Sequence, residues 1–462
     1  MHLLRRLLPL TILLALLAAV PAHAKPTQEV TFEAPRDLLD PQYRDGAFTE
    51  LQGLGVHALR IVLYWHDVAP EADSRIKPKV DTTDPGVYDW SKYQPVLDRA
   101  HELGWTVQLT LSGPVPKWAT NGARDTVTRP SPNEFRMFVT AASRHFGDEV
   151  SRWSIWNEPN HPDFLGPQYD SRHRPVSGSV YRGLYAAALR GLAAAGDTKP
   201  VLMGETAPVG TGKDVAPLTF LRQALCLSST YKKAGKCAKL RVDGYAHHAY
   251  TTRQGPFYKP SGPNNVTIGV LSRLTSALDK AARAGVVKAR LPIYLTEFGI
   301  QSTPDPQYGV SFQRQAEYRS YSERLAYYNN RVAAFSQYLL RDDLPIPNVP
   351  AIARYGGFES GLRTSAGKAK PSLEGFRLPL VAKRSGSGVT LWGLVRPATG
   401  ATSAVVEYHD KGKGWRKLAT VRTNGRGVWT RRTSNRPGRE WRVRWTSPAG
   451  TTYTAPPTRA YP

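Results

Sequence analysis

Two short stretches decide how this chain reads: Ser154-Ile155-Trp156-Asn157-Glu158-Pro159-Asn160 and, further on, Ile293-Tyr294-Leu295-Thr296-Glu297-Phe298-Gly299. Each is a brief apolar run that closes on a glutamate. A buried strand has no structural use for a carboxylate at its end, whereas the C-terminal rim of a parallel barrel collects its chemistry there. Working outward, other β-branched runs recur at 30–33, 58–64, 106–111, 201–204, 244–248 and 332–338, and the two motif strands occupy 153–157 and 293–296. Segments of helical period lie between them, for example 93–103, 132–145, 180–195, 268–284 and 312–328. Eight strands alternating with helices predict an α/β chain built as a (β/α)8 TIM barrel. A doubly wound open sheet is the alternative, but no G-x-G-x-x-G follows the first strand to favour a dinucleotide.

Past residue 380 the pattern changes. Short alternating runs at 389–394, 403–409, 415–423, 427–433, 441–446 and 451–454 are separated by turn residues, which predicts a small all-β immunoglobulin-like antiparallel sandwich. Five tryptophans fall here (Trp392, Trp415, Trp429, Trp441 and Trp445), either as core or as exposed sugar platforms. The organisation expected is residues 1–24 a signal peptide, 25–380 a catalytic barrel, 381–388 a linker and 389–462 a basic β-sandwich.

The signal-peptide reading rests on Arg5 and Arg6, the apolar run after them and the small-residue site at Ala22-His23-Ala24. The run is shorter than a membrane span requires, and no later stretch is long and apolar enough to cross a bilayer. Export from a bacterial cell, to the medium or the cell wall, is the expected location. It suits the two cysteines, Cys226 and Cys237, which read as a local disulfide rather than a metal pair.

The 462 residues carry 62 Lys and Arg against 37 Asp and Glu, a net charge of +25. With 41% apolar residues the chain is globular, so disorder is excluded. Residues 383–462 hold 16 of the basic residues against only Glu407, Asp410 and Glu440, so about half of the excess sits in the tail. For an exported protein this favours an anionic cell-wall polymer as partner and removes nucleic acid as the default.

The two glutamate motifs together resemble clan A of the retaining glycoside hydrolases, nearest to families 5 and 39. The resemblance runs from about residue 30 to 376 and includes the late segment from Ser360 to Pro371. It implies Glu158 as acid/base, Glu297 as nucleophile, Arg60 as the strand-two cation that keeps Glu297 ionised, and Asn157 as a contact to the sugar 2-hydroxyl. It also implies Tyr250 as a donor to the nucleophile, with His248 beside it. Arg60, Trp65 and Glu205 are also candidate sugar contacts, and His247, on the opposite face from His248, is structural. Zinc on His247, His248 and Glu205 lacks ligand spacing, and neither metal nor organic cofactor is implied: two carboxyls and water suffice. One departure stands out. Where such families end strand eight with Trp, this chain has Gln337-Tyr338, so one of these must floor the subsite, and Tyr338 is a candidate contact. The expected activity is hydrolysis of O-glycosidic bonds in a poly- or oligosaccharide. A transglycosylase would use the same residues, and a non-catalytic wall-binding protein on a barrel scaffold is the rival from another class.

Overall fold

A computed structural model describes residues 28–123, 125–398 and 400–462, so the proposed signal segment 1–24 lies outside the described residues. Eight parallel strands close into a barrel: β1 (Glu29–Glu33), β2 (Ala58–Tyr64), β3 (Thr106–Ser112), β4 (Arg152–Ile155), β5 (Val201–Thr206), β6 (Gly244–His248), β7 (Ile293–Glu297) and β8 (Val332–Tyr338). β8 pairs back onto β1 with Glu33 opposite Tyr338, so these two residues stand at one level of the rim. A helix follows each strand, from Arg44–Gly53 after β1 to Pro371–Arg377 after β8. Several helices start where the sequence caps them. Ser131 accepts a hydrogen bond from the Glu134 amide with Pro132 at the first helical position, and Ser311 caps Phe312–Tyr327 through the Arg314 amide.

Strand alternation sorts two kinds of side chain. Phe32, Leu59, Ile61, Leu63, Val107 and Leu109 face outward and pack under the helices in one continuous core. Thr31, Arg60, Gln108, Thr110 and Ser154 are buried inside the barrel. The barrel axis is therefore polar and must satisfy itself internally. Near the lower end Arg152 pairs with Glu29 and donates from Nε to Gln108 Oε1 at 3.2 Å. Cys226 and Cys237 form the expected disulfide. It lies in the connection leading into β6, on the face away from the strand C-termini, and contributes about 2–3 kcal/mol by loop closure.

The second unit comprises β9 (Leu380–Ser385), β10 (Gly388–Leu394), β11 (Ser403–His409), β12 (Arg416–Arg422), β13 (Val428–Ser434), β14 (Glu440–Thr446), β15 (Thr452–Thr454) and β16 (Thr458–Tyr461). Its strands run in the order β12-β11-β14-β16-β9-β10-β13, with β15 on β14. The ladders are antiparallel except that β16 lies parallel to β9, a crossover the expected antiparallel sandwich did not contain. Leu380, Val389 and Leu391 from one half meet Val406, Trp441 and Trp445 from the other. Four of the five tail tryptophans are buried and Trp415 is half-buried beneath Arg442. Trp429, Trp441 and Trp445 fill the sandwich core and Trp392 packs against the barrel, so none of these four is an exposed platform.

Residues 381–388 correct the linker reading. Most of them form β9 and its hairpin turn, paired in full register with β10. The polar run from Lys383 to Gly388 looked like a spacer because it holds the outer end of the hairpin, while Leu380, Val381 and Ala382 are buried.

The two units share a buried seam along Phe312–Tyr327. Trp392 packs on Tyr327 at 5.5 Å, and Tyr321 donates to the terminal Pro462 carbonyl at 2.6 Å. Glu323 accepts from both Arg319 of the barrel and Arg396 of the sandwich. Both guanidiniums also stack on the ring of Phe376, at 4.4 and 4.3 Å. Arg319 continues inward, donating from Nε to Gln337 Oε1 at 2.9 Å.

Candidate active site

The site is built around Arg60, which projects from the middle of β2 into the barrel with no side-chain exposure. Its Nη1 donates to Glu33 at the end of β1 and, at 3.0 Å, to Glu297 Oε2 at the end of β7. Its Nη2 donates to Glu205 and, at 2.6 Å, to Asn157 Oδ1. Glu205 also accepts from Gln108 Nε2 at 2.9 Å and Thr110 Oγ1 at 2.8 Å. Burial would raise the Glu205 carboxyl, but Arg60 outweighs it and holds the group below its ordinary range.

Glu158 reaches the site through a kink. Beyond β4, Trp156 and Glu158 take φ of 69° and 39°, left-handed values costly for non-glycine residues. The kink is held by amide donations from Trp156 to Leu111 O, from Asn157 to Ser112 Oγ and from Glu158 to Glu205 O. Asn160 ties down the same turn through Ala207 and Val215. Burial pushes the Glu158 carboxyl up to about 7, so it keeps its proton up to about neutral pH.

Glu297 takes a second donor, Tyr250 Oη, at 2.7 Å from Oε1. Between the two glutamates stands His248. Its Nδ1 is 2.8 Å from Glu158 Oε1 and 3.5 Å from Glu297 Oε2, and burial drops its pKa to about 4, leaving a neutral imidazole. The nearest oxygens of Glu158 and Glu297 are thus no farther apart than the sum of 2.8 and 3.5 Å. His247 points away, held by Thr206 Oγ1 and the Val266 carbonyl, so it has no nitrogen to offer a metal.

A cleft of about 540 Å³ opens on Glu158, lined also by His161, Asp214, Tyr250, Tyr308 and Phe358. A smaller cavity of about 180 Å³ lies along β1 and β2, where Glu33, Arg60, Tyr64 and Tyr338 meet Leu38, Ile61 and Val96. At the end of β8 it is Tyr338 that faces the opening, because Gln337 is buried against Arg319 and the Ser360 carbonyl.

The structure gathers Glu158, Glu297, Arg60, Asn157, His248, Tyr250 and Tyr338, and corrects three sugar contacts. Trp65 is fully buried, stacked on Phe138 at 5.0 Å and set edge-on to Trp118. One residue past inward Tyr64, it continues the outward phase of Ile61 and Leu63 into the helical turn Trp65–Val68. Arg60 and Glu205 have no exposed side-chain surface, so each acts on its neighbours and neither reaches a sugar. Two residues were missed, Glu33 and Tyr64. Strand alternation carried the signal: Arg60, Val62 and Tyr64 share the inward face of β2, and Glu33 ends β1 in phase with inward Thr31.

No protein-family model and no curated protein matches the sequence. Among solved structures, the fold is similar to a glucosidase from Croceicoccus marinus (12% identity, 92% of this chain and 96% of that one, TM-score 0.54). It is likewise similar to a GH39 enzyme from Xanthomonas axonopodis pv. citri (17% identity, 94% and 96%, TM-score 0.53). A monomeric β-xylosidase from Caulobacter crescentus CB15 aligns over 94% of this chain and 97% of its own, at 15% identity and TM-score 0.53. The chain therefore has the fold seen in glycoside hydrolases of family 39, a (β/α)8 barrel joined to a β-sandwich.

Proposed function

We propose that the protein is a retaining glycoside hydrolase that cleaves O-glycosidic bonds of an oligo- or polysaccharide by double displacement. The observation that carries this reading is the pair Glu158 and Glu297, which follow β4 and end β7 on one rim of the barrel and both lie within 3.5 Å of one histidine nitrogen. Two carboxyl groups that share one imidazole nitrogen suit a retaining pair, whose carboxyls stand roughly 5–5.5 Å apart.

In this reading Glu297 attacks the anomeric carbon while Glu158 gives its proton to the departing oxygen. The result is a glycosyl ester on Glu297 and a released alcohol. Glu158, now a carboxylate, takes a proton from water as the water oxygen attacks the same carbon, and Glu297 leaves with its charge restored. Arg60 and Tyr250 each address a separate oxygen of Glu297, fixing the line of attack. Asn157, drawn to Arg60 through Oδ1, keeps its amide nitrogen for the sugar 2-hydroxyl. Export through residues 1–24 and retention on an anionic wall polymer by the basic sandwich complete the proposal, supported by the disulfide and by the charge of the tail.

The test is turnover of aryl glycosides and wall polysaccharides by purified protein, with product configuration followed by NMR. Products that first appear with the substrate's configuration support the reading; inverted first products, or no turnover of any glycoside, overturn it.

A further inference from the structure

At one end of the β-sandwich, Asn435-Arg436-Pro437-Gly438-Arg439 links β13 to β14. Pro437 and Gly438 (φ 73°) occupy the corners of a type II turn, closed by the Arg439 amide on the Arg436 carbonyl at 3.1 Å. The turn sets Arg436 and Arg439 on the wall of a hollow of about 490 Å³, which Arg384 of β9 and Arg459 of β16 also line. Only Arg439 is neutralised. It takes both oxygens of Asp410, at 2.7 and 2.8 Å, and lies 4.3 Å over the ring of Tyr408. Arg436 comes no nearer to Asp410 than 3.9 Å, and its side chain is 66% exposed. Arg459 stands 4.0 Å from Glu317, which Tyr461 and Gln313 already engage, and is 58% exposed. Arg384 shares the inward phase of Leu380 and Ala382 but stands past the buried part of β9. It is exposed and has no hydrogen-bond or ion-pair partner among the described residues. Glu440 is the one carboxylate on the wall.

We propose that this hollow is a binding site for an acidic glycan, its arginines receiving the phosphate, sulfate or carboxylate group that recurs along the polymer. This rests on the retention role proposed for the basic sandwich and gives that role a site. Clustered cations with long or absent pairings repel one another, and an oxyanion between them relieves the repulsion. A guanidinium fork matches two oxygens of such a group at once, which an ammonium does not. The volume lies within the roughly 300–1,000 Å³ of small-ligand sites, room for a charged group with the sugar that bears it. Asn435 and Glu440 on the same wall offer an amide and a carboxylate to sugar hydroxyls. No aromatic ring lines the hollow to stack a nucleic-acid base. None of the exposed large apolar side chains among the described residues lies in the sandwich, so it has nothing to sink into a lipid surface.

The experiment measures binding of the full chain to poly(glycerol phosphate), polygalacturonate and dextran sulfate, with neutral dextran and a single-stranded oligonucleotide for comparison. Two double variants carry the test. Arg384→Gln with Arg436→Gln removes two guanidiniums from the hollow, and Arg416→Gln with Arg422→Gln removes the same charge from exposed positions of β12. Thermal unfolding of both should match wild type. Wild type should bind at least one of the three acidic polymers and leave neutral dextran unbound, and the polymer held tightest identifies the oxyanion. The hollow variant should weaken that binding by about 10-fold or more, the scale of lost charge-assisted hydrogen bonds, and the β12 variant by less than about 3-fold. Equal losses in the two variants would overturn the site and leave retention to diffuse charge. Tighter binding to the oligonucleotide than to any glycan would overturn the assignment of the ligand. Wild type binding none of the acidic polymers would remove the retention reading itself, and the site with it.

Discussion

Tyr250 Oη donates a 2.7 Å hydrogen bond to Oε1 of Glu297, the oxygen that Arg60 does not address. The tyrosine is held for this by Phe358 at 5.4 Å and by Tyr338 set perpendicular at 6.5 Å. Tyr250→Phe keeps that packing and removes only the donor. A hydrogen bond to a charged group contributes about 1.5–3 kcal/mol, so kcat should fall roughly 10- to 100-fold with little change in thermal unfolding. Steady-state kinetics and a melt on the same preparation check this.

Burial places Glu158 at about 7. The acid must carry its proton to act, so activity is full below that value and lost as pH rises through it. The kcat/KM profile of wild type should therefore break downward near pH 7. Glu158→Gln should lower turnover by about 10²- to 10⁴-fold, and the break near 7 should vanish from what remains.

Trp65 packs beneath the site among Phe135, Phe138 and Trp118. Trp65→Ala is expected to cost about 3–5 kcal/mol in urea unfolding, the range for emptying a large aromatic from a core. The KM of the folded fraction should stay near wild type. A raised KM without loss of stability would return Trp65 to the sugar.

Arg396 of the sandwich and Arg319 of the barrel converge on Glu323. Arg396→Met strips one partner from a buried charge cluster and should cost about 3–5 kcal/mol. Both units should melt in one transition, because β9 and β16 pack on the barrel helix that carries the cluster. Deleting 383–462 should give an insoluble or unfolded barrel, and a soluble active one would show the units to be independent.

Much of this architecture is legible from residue order. The strand pattern locates all eight barrel strands, and the glutamates at their ends point to the rim they occupy. What stayed hidden follows from geometry that a linear pattern does not carry. The kink at Trp156–Glu158 ends β4 at Ile155, two residues before the expected end, because backbone with positive φ cannot continue the ladder. Trp65 resembled a rim aromatic because it closes the β2 run, although its place one residue past inward Tyr64 puts it in phase with outward Ile61 and Leu63. Glu33 passed unnoticed because it closes a run of only four residues, and its place gains meaning when Arg60 is seen to reach it. The seam through Arg396 joins residues far apart in sequence, and only the fold brings them together.

The most direct measurement is covalent trapping. The protein is incubated with the 2-deoxy-2-fluoro glycoside of its best neutral substrate, digested, and mapped by mass spectrometry. The expected result is one glycosyl adduct on the peptide containing Glu297, with inactivation in step with labelling. An adduct on Glu158, Glu33 or any other residue, or turnover without an adduct and with inverted product, would contradict the assignment of Glu297 as nucleophile and Glu158 as acid/base.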